Sequence, residues 1–135
     1  MEKILWDSSF SVGIAKLDEQ HKRLIGMLNL LIGDPEADVH SETVSEILTR
    51  MTKYATEHFQ TEEQLLAEYG YSGLAAQKQT HKEFQEKAVT LCIETMQERT
   101  SVPADILEYL KRWLTQHILV MDMQYRSYLN ERGVR

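Results

Sequence analysis

The segment VSEILTRMTKYATEHFQTEEQL, residues 44–65, indicates the fold more clearly than any other part of the chain. Its apolar positions follow one another at intervals of four and three residues, the spacing of a helix that packs into a bundle. His58 and Glu62 lie on this same stripe, one helical turn apart. Because buried polar groups are costly unless something pairs with them, the segment predicts a core helix that carries potential metal ligands.

Three further stretches have the same periodicity, and each places one histidine on its apolar stripe: His21, His81 or His117. No strand-like alternation competes with these patterns. The sequence therefore predicts an all-α protein, an antiparallel up-down-up-down four-helix bundle that forms a single domain over residues 1–135. Residues 1–14 lack helical periodicity and are predicted to form an extended N-terminal arm. The predicted helices cover approximately residues 15–32, 41–68, 73–98 and 102–129.

Composition limits the classes of function. The chain has 135 residues, of which 42% are hydrophobic and 27% charged, as in ordinary soluble domains. A net charge of −6 with scattered basic residues argues against a nucleic-acid or membrane partner. A single cysteine excludes an intrachain disulfide. With no signal-like start and no long apolar run, the expected location is cytoplasmic.

Six polar residues lie on the predicted core stripes, and together they favour a metal site. A single buried histidine is usually a hydrogen-bonded core residue. That explanation does not suit four histidines that each lie on the apolar stripe of a different helix. Imidazoles suit iron, zinc and copper, and carboxylates can bridge two cations inside a bundle. Such a set exceeds the needs of one four-coordinate zinc and suits two irons, although manganese or a mixed pair remains open. The six are His21, His58, Glu62, His81, His117 and Asp122.

Two positions qualify this pattern. Asp122 follows His117 by five residues, which is a rotation of about 140° in a regular α-helix. We therefore expect Asp122 to approach a shared centre from the flank of the fourth helix. His40 lies in a loop and on no stripe, so we expect it to be exposed to solvent.

The order and spacing of several short motifs resemble those of the hemerythrin family, in particular its single-domain bacterial members. The similarity covers nearly the whole chain and is carried by motifs in the N-terminal arm and in all four helices. These are SVG at 11–13, DEQH at 18–21, HFQTEE at 58–63, HKEF at 81–84, WLTQHI at 113–118 and DMQY at 122–125.

This resemblance implies a bundle around a non-haem di-iron centre that binds O2, with two iron ions (Fe2+/Fe3+) joined by an oxo or hydroxo bridge. One iron would be held by His21 and His58 and keep an open position for O2. The other would be held by His81, His117 and the residue at position 77. Glu62 and Asp122 would bridge the two irons.

The resemblance also implies roles for residues around the ligands. Trp113, Leu114 and Ile118 would line a dry O2 pocket, a role compatible with ordinary core packing. Phe59 and Tyr125 match family positions next to the metals, and Tyr125 could equally be a packing residue at the end of the bundle.

Position 77 departs from the family, which has a histidine where this chain has Gln77. The amide oxygen could coordinate iron weakly, the amide could hold a coordinating water, or the second iron could be one ligand short. Each outcome predicts weaker retention of that metal and faster loss of the oxygenated form.

The sequence thus predicts a non-catalytic protein that binds O2 reversibly for storage, delivery or scavenging. One alternative is a sensor of O2 or iron that acts through a protein partner not identifiable from the sequence. Another is an oxidase-like or peroxidase-like di-iron enzyme, which the weakened ligand at Gln77 would favour.

Overall fold

The computed structural model describes residues 2–135, and within this range the regular structure is entirely helical. Three bundle helices are α1 (Ala15–Ile32), α2 (Glu42–Glu68) and α3 (Leu74–Met96). The fourth bundle helix consists of three consecutive parts. They are α4 (Val102–Arg112), a π-helical segment (Trp113–Asp122) and α5 (Met123–Glu131).

The four helices close into a bundle in which each packs against its neighbours. Helix α2 contacts α1 and α3, and α4 contacts both α3 and α1. The connecting loops are short, so successive helices run in opposite directions. The predicted all-α four-helix bundle is therefore confirmed.

The N-terminal arm packs along the bundle and contains one short 3-10 turn, Ser8–Phe10. The side chain of Asn29 on α1 anchors it by pairing with both backbone groups of Ile4, over 2.7 and 2.8 Å. Trp6 stacks on Phe10, and both rings pack against the core. The arm thus covers one surface of the bundle.

Two apolar clusters form the core, and a layer of buried polar side chains lies between them. The larger cluster includes Leu24, Phe59 and Ile118, and the smaller includes Leu17 and Leu66. Along α1 and α2 the buried polar residues fall between members of the two clusters. The layer consists of Gln20, His21, His58, Glu62, Gln77, His81, His117 and Asp122.

The π-helical segment changes the expected geometry of the fourth bundle helix. Hydrogen bonding in a π-helix joins residues five apart, so side chains at i and i+5 come onto one face. Nε2 of His117 accordingly lies 3.1 Å from Oδ1 of Asp122. The expectation that Asp122 would approach from the flank of a regular α-helix is wrong, because the wider turn places both side chains on the same inward face.

Candidate metal centre

The buried polar layer brings all six sequence-predicted donors together. Their ligand atoms form two groups, within each of which the atoms lie no more than 4.8 Å apart. His21 and His58 belong to the first group, and His81 and His117 to the second. Glu62 is common to both groups, and Asp122 is assigned to the first.

Each carboxylate presents one oxygen to each histidine pair. Oε2 of Glu62 lies 3.2 Å from Nε2 of His58, while its Oε1 lies 2.9 Å from Nε2 of His81. Oδ2 of Asp122 lies 3.2 Å from Nε2 of His21, while its Oδ1 faces His117. Two carboxylates that each face two imidazole groups have the arrangement of bridging ligands between two cations.

Buried atoms without hydrogen-bond partners show that this layer fits metal ions. Nε2 of His81 lies close to Oε1 of Glu62, yet neither atom makes a hydrogen bond within residues 2–135. Such proximity without hydrogen-bond geometry is expected of ligand atoms that point toward a common cation. Seven side-chain atoms are unpartnered: Nδ1 of His21, Oε1 of Glu62, Oε1 of Gln77, Nε2 of His81, both ring nitrogens of His117 and Oδ2 of Asp122.

Two histidines are held in the form that binds metal through Nε2. Nδ1 of His58 lies 2.6 Å from the amide oxygen of Gln20, and Nδ1 of His81 lies 2.7 Å from a carboxylate oxygen of Glu63. Both partners are acceptors, so each Nδ1 carries a proton, and in the neutral imidazole Nε2 then keeps its lone pair for a metal. The Gln20 amide is oriented in turn because its nitrogen donates to the hydroxyl oxygen of Thr61.

Electrostatics keep both carboxylates ionised. Burial by itself would raise the pKa of Glu62, but the nearby histidines, His58 foremost, hold that pKa well below its usual range. Asp122 behaves alike: burial and Glu62 raise its pKa, and His117 and His21 lower it by more. Burial lowers the pKa of His21, yet contacts with the two carboxylates raise it overall to about 9. Ionised carboxylates are the form that binds cations.

Gln77 is buried in the layer, but its amide nitrogen is engaged by Asp122. Nε2 of Gln77 donates to Oδ1 of Asp122 over 2.9 Å, and an ionised carboxylate can only accept. The amide oxygen has no hydrogen-bond partner within residues 2–135. Gln77 therefore orients a carboxylate, a role outside the three outcomes considered from the sequence.

Aromatic rings cover the imidazoles on the side of the larger apolar cluster. The ring of Phe59 stacks on His81 and that of Trp113 on His117, each with centroids 3.9 Å apart. Leu114 is 4% exposed and Ile118 is fully buried, so the residues predicted to line a pocket belong to the core beside His117. These contacts keep water away from one side of the layer.

The hydroxyl of Tyr125 donates to Oε2 of Glu62 over 2.8 Å, so this tyrosine contacts the site directly. Burial, followed by the charges of the two carboxylates, raises its pKa well above the usual value.

His40 lies outside the site, 71% exposed and paired with Glu98.

Sequence reasoning missed three residues that contact the predicted ligands: Gln20, Glu63 and Tyr54. Gln20 and Glu63 are the chain neighbours of His21 and Glu62. Tyr54 precedes His58 by one helical turn and stacks on it, with ring centroids 4.8 Å apart. A search of positions one residue or one turn from each ligand would have found all three.

The fold and the site define a helical-bundle protein with a candidate dinuclear site of histidines and carboxylates. A family model described as the hemerythrin HHE cation binding domain matches residues 12–129. The chain belongs to the hemerythrin family.

Individual relatives agree with this assignment. The chain is 35% identical to a hemerythrin-like protein of Naegleria gruberi over 124 residues, which cover 92% of each chain. It is 30% identical to a bacteriohemerythrin of Stenotrophomonas maltophilia, with 97% of this chain and 87% of the relative covered. A bacteriohemerythrin of Clostridium acetobutylicum is 29% identical, with 90% and 97% covered.

At the level of the family, this is a protein of the di-iron, oxygen-binding class. The resemblance inferred from the sequence motifs is thereby confirmed. Within residues 2–135, no helix combines the length and the apolar character needed to cross a membrane.

Proposed function

We propose that this protein binds O2 reversibly at a pair of irons, for storage, delivery or scavenging. The observation that carries the proposal is that each buried carboxylate, Glu62 and Asp122, faces both histidine pairs. A single metal would not need two carboxylates in that arrangement. The cytoplasmic location expected from the sequence is part of this proposal.

In this proposal the two irons share the carboxylates and differ in their histidines. His21 and His58 hold one iron, and His81 and His117 hold the other. When bound, the iron pair supplies the electrons that O2 takes up reversibly. Four of the unpartnered buried atoms support the assignment, because cations in the layer would satisfy them: Oε1 of Glu62, Oδ2 of Asp122 and Nε2 of His81 and of His117.

The surrounding residues position the ligands and exclude water. Gln20 and Glu63 fix the orientations of the imidazoles of His58 and His81, respectively. The hydroxyl of Tyr125 donates a hydrogen bond to Glu62. The wall formed by Trp113 and its core neighbours limits access of water to His117. Exclusion of water favours reversible binding, because solvent that reaches the site promotes irreversible oxidation of the irons by O2.

An enzyme-like function is the second candidate, and the contact of Gln77 favours it. The amide nitrogen of Gln77 donates a hydrogen bond to Asp122, and Gln77 does not supply a third histidine. The His81/His117 iron therefore has two histidine ligands, the same number as the other iron. Two irons with open positions would suit an oxidase or peroxidase more than a carrier. A sensor that acts through a protein partner remains a sequence-based prediction.

Addition of O2 to the anaerobic, fully reduced protein separates these functions. A stable visible absorption band that disappears when O2 is removed is the result expected of a carrier. Rapid bleaching, with continued turnover when a reductant is supplied, would instead identify an enzyme. Clearly fewer than two irons per chain after anaerobic reconstitution would contradict the di-iron assignment itself.

A further inference from the structure

Gly26 lies in the interior of α1, where packing does not require a glycine. A Cβ added at this position would meet no atom within 4 Å. Glycine inside a helix lowers stability relative to alanine, because it loses more conformational freedom on folding. The absence of a side chain here therefore has another consequence, which is an open cleft between α1 and α2.

The cleft has a volume of about 580 Å3, within the range of small-molecule binding sites. Gly26, Met27 and Tyr54 contribute to its lining, and the side chains of Met27 and Tyr54 are only 1% and 3% exposed. These two residues form an apolar floor of which only a small part is reached between the rim side chains. We call this space the Gly26 cleft.

The rim of the Gly26 cleft is cationic, whereas the chain as a whole is acidic. Four lining residues are basic, namely Lys22, Arg23, Arg50 and Lys53, and Glu19 and Glu57 are the acidic ones. The full chain has 15 basic and 21 acidic residues, so this balance is reversed locally. An apolar floor below a cationic rim fits a ligand with an apolar body and a negative end.

The rim cations can exchange their present partners for a ligand. Three of the four rim cations are paired: Lys22 with Glu19 over 3.7 Å, Arg23 with Glu57 over 2.9 Å and Arg50 with Glu46 over 2.8 Å, all through exposed side chains. Exposed ion pairs contribute little free energy, so they can be replaced at little cost. Lys53 makes no ion pair within residues 2–135.

Tyr54 connects the Gly26 cleft to the metal centre. Its ring is stacked on that of His58, with an angle of 22° between the planes. A molecule in contact with the floor would therefore be separated from a proposed iron ligand by one aromatic ring. Such a short path through packed rings suits electron transfer.

We propose that the Gly26 cleft binds a small planar anion of the flavin mononucleotide class, which returns electrons to the oxidised centre. The aromatic body would lie toward Met27 and Tyr54, and the phosphate toward the rim cations. The reduced flavin gives up two electrons and two protons and becomes oxidised flavin. Two ferric ions each take one electron and become ferrous, and the protons pass to solvent through the open side of the cleft. The electron-transfer step rests on the proposed di-iron function, whereas binding does not.

Binding is tested with oxidised flavin mononucleotide as the probe, by fluorescence titration of the full chain as isolated and after loading with zinc. Zinc carries no redox chemistry, so binding is measured independently of iron. We expect saturable binding that Gly26→Gln abolishes, while the thermal unfolding midpoint of this variant is equal to or above that of the parent. No saturable binding, or an unchanged affinity in Gly26→Gln, would overturn the proposed site.

A charge variant with a matched control tests the rim. Lys53→Glu should weaken binding by up to about fivefold, since one exposed ion pair contributes at most about that factor. Lys78→Glu makes the same change of charge on an exposed part of α3 and should leave the affinity unchanged. Equal weakening by both variants would mean that net charge, and not the cleft, attracts the flavin.

The electron-transfer step is tested by reducing the diferric protein anaerobically with reduced flavin mononucleotide or with dithionite. Gly26→Gln should slow reduction by the flavin and leave reduction by dithionite unchanged. Equal rates with the flavin in both proteins would overturn the electron-donor role even if the flavin binds. A chain that binds the flavin but takes up no iron would instead refute the proposed di-iron function and leave the binding site standing.

Discussion

The two halves of the candidate metal centre have the same donors but different support. In each half, two histidines face one oxygen of Glu62 and one of Asp122. The amide of Gln20 supports the His21/His58 half through His58, and the carboxylate of Glu63 supports the other half through His81. A carboxylate on the outer nitrogen makes an imidazole a stronger donor than an amide does.

This difference explains how the chain can tolerate a glutamine at position 77. In the half that lacks the third histidine of the family, one of the two histidines present, His81, contacts the carboxylate of Glu63. Stronger donation by His81 would offset part of the donation that is missing at position 77.

Glu62→Gln should affect both halves, because Glu62 presents one oxygen to each of them. The amide that replaces the carboxylate has no charge and offers only one good donor atom. We expect the affinity for both metals to fall by more than about a hundredfold, the upper value for the loss of an outer partner. Metal content after dialysis against a chelator measures the effect, with Glu68→Gln near the end of α2 as the control. Retention of two metals at the parent affinity would contradict the bridging arrangement.

Gln77→His should restore a third histidine to the His81/His117 half alone. We expect tighter retention of one metal and about tenfold slower oxidation of the reduced protein, since donor strength on that metal rises. The rate of loss of the oxygenated absorption band measures this, and Gln79→His, on the exposed face of α3, is the control. An unchanged rate would mean that Gln77 already serves as an adequate ligand.

Glu63→Gln should make the outer partners of the two halves alike. The affinity for one metal is expected to fall by about tenfold, at the lower end for changes in outer partners, and the other should be unaffected. Zinc titration in the presence of a competing chelator resolves the two affinities. The converse variant, Gln20→Glu, should raise the affinity of the His21/His58 half for its metal. Loss of both metals in Glu63→Gln would refute the prediction that Glu63 supports one half alone.

Tyr125→Phe removes the hydroxyl that donates to Glu62 and leaves the ring in place. Glu62 keeps its histidine contacts, so we expect a loss of about 1 kcal/mol in the free energy of unfolding. Denaturant unfolding measures it. Tyr109→Phe removes a hydroxyl that makes no hydrogen bond within residues 2–135 and should cost less. Equal losses in the two variants would show that the contact with Glu62 contributes nothing specific.

The bundle was predictable because each stripe of apolar residues has helical period, and a core needs such stripes to face one another. The convergence of the six donors could be predicted for the same reason, because the donors lie on the apolar stripes. His58 and Glu62, for example, lie on the core face of α2. The π-helical segment was not predicted, because its wider turn depends on packing around His117 and Asp122. The signal available in the sequence was the interval of five residues between His117 and Asp122, which a regular α-helix does not place on one face.

The contact of Gln77 with Asp122 could not be read from the sequence for a different reason. Spacing assigns a residue to a face of a helix, but it does not decide which end of an amide faces a neighbour. That choice depends on the charge of the facing group, which is known only once the helices are packed. Gln20 and Glu63 could be found as neighbours of the ligands, but their contacts could not, because the histidines that they contact lie on other helices.

The division of the core into two apolar clusters has a consequence for how the molecule opens. Each cluster draws side chains from several helices, so either end of the bundle can hold together while the polar layer between them loosens. Cations bound in that layer would join the two ends into one cooperative unit. Amide protons remote from the layer would then exchange with solvent at rates set by its metal content, so the loading of the centre can be followed far from the centre itself.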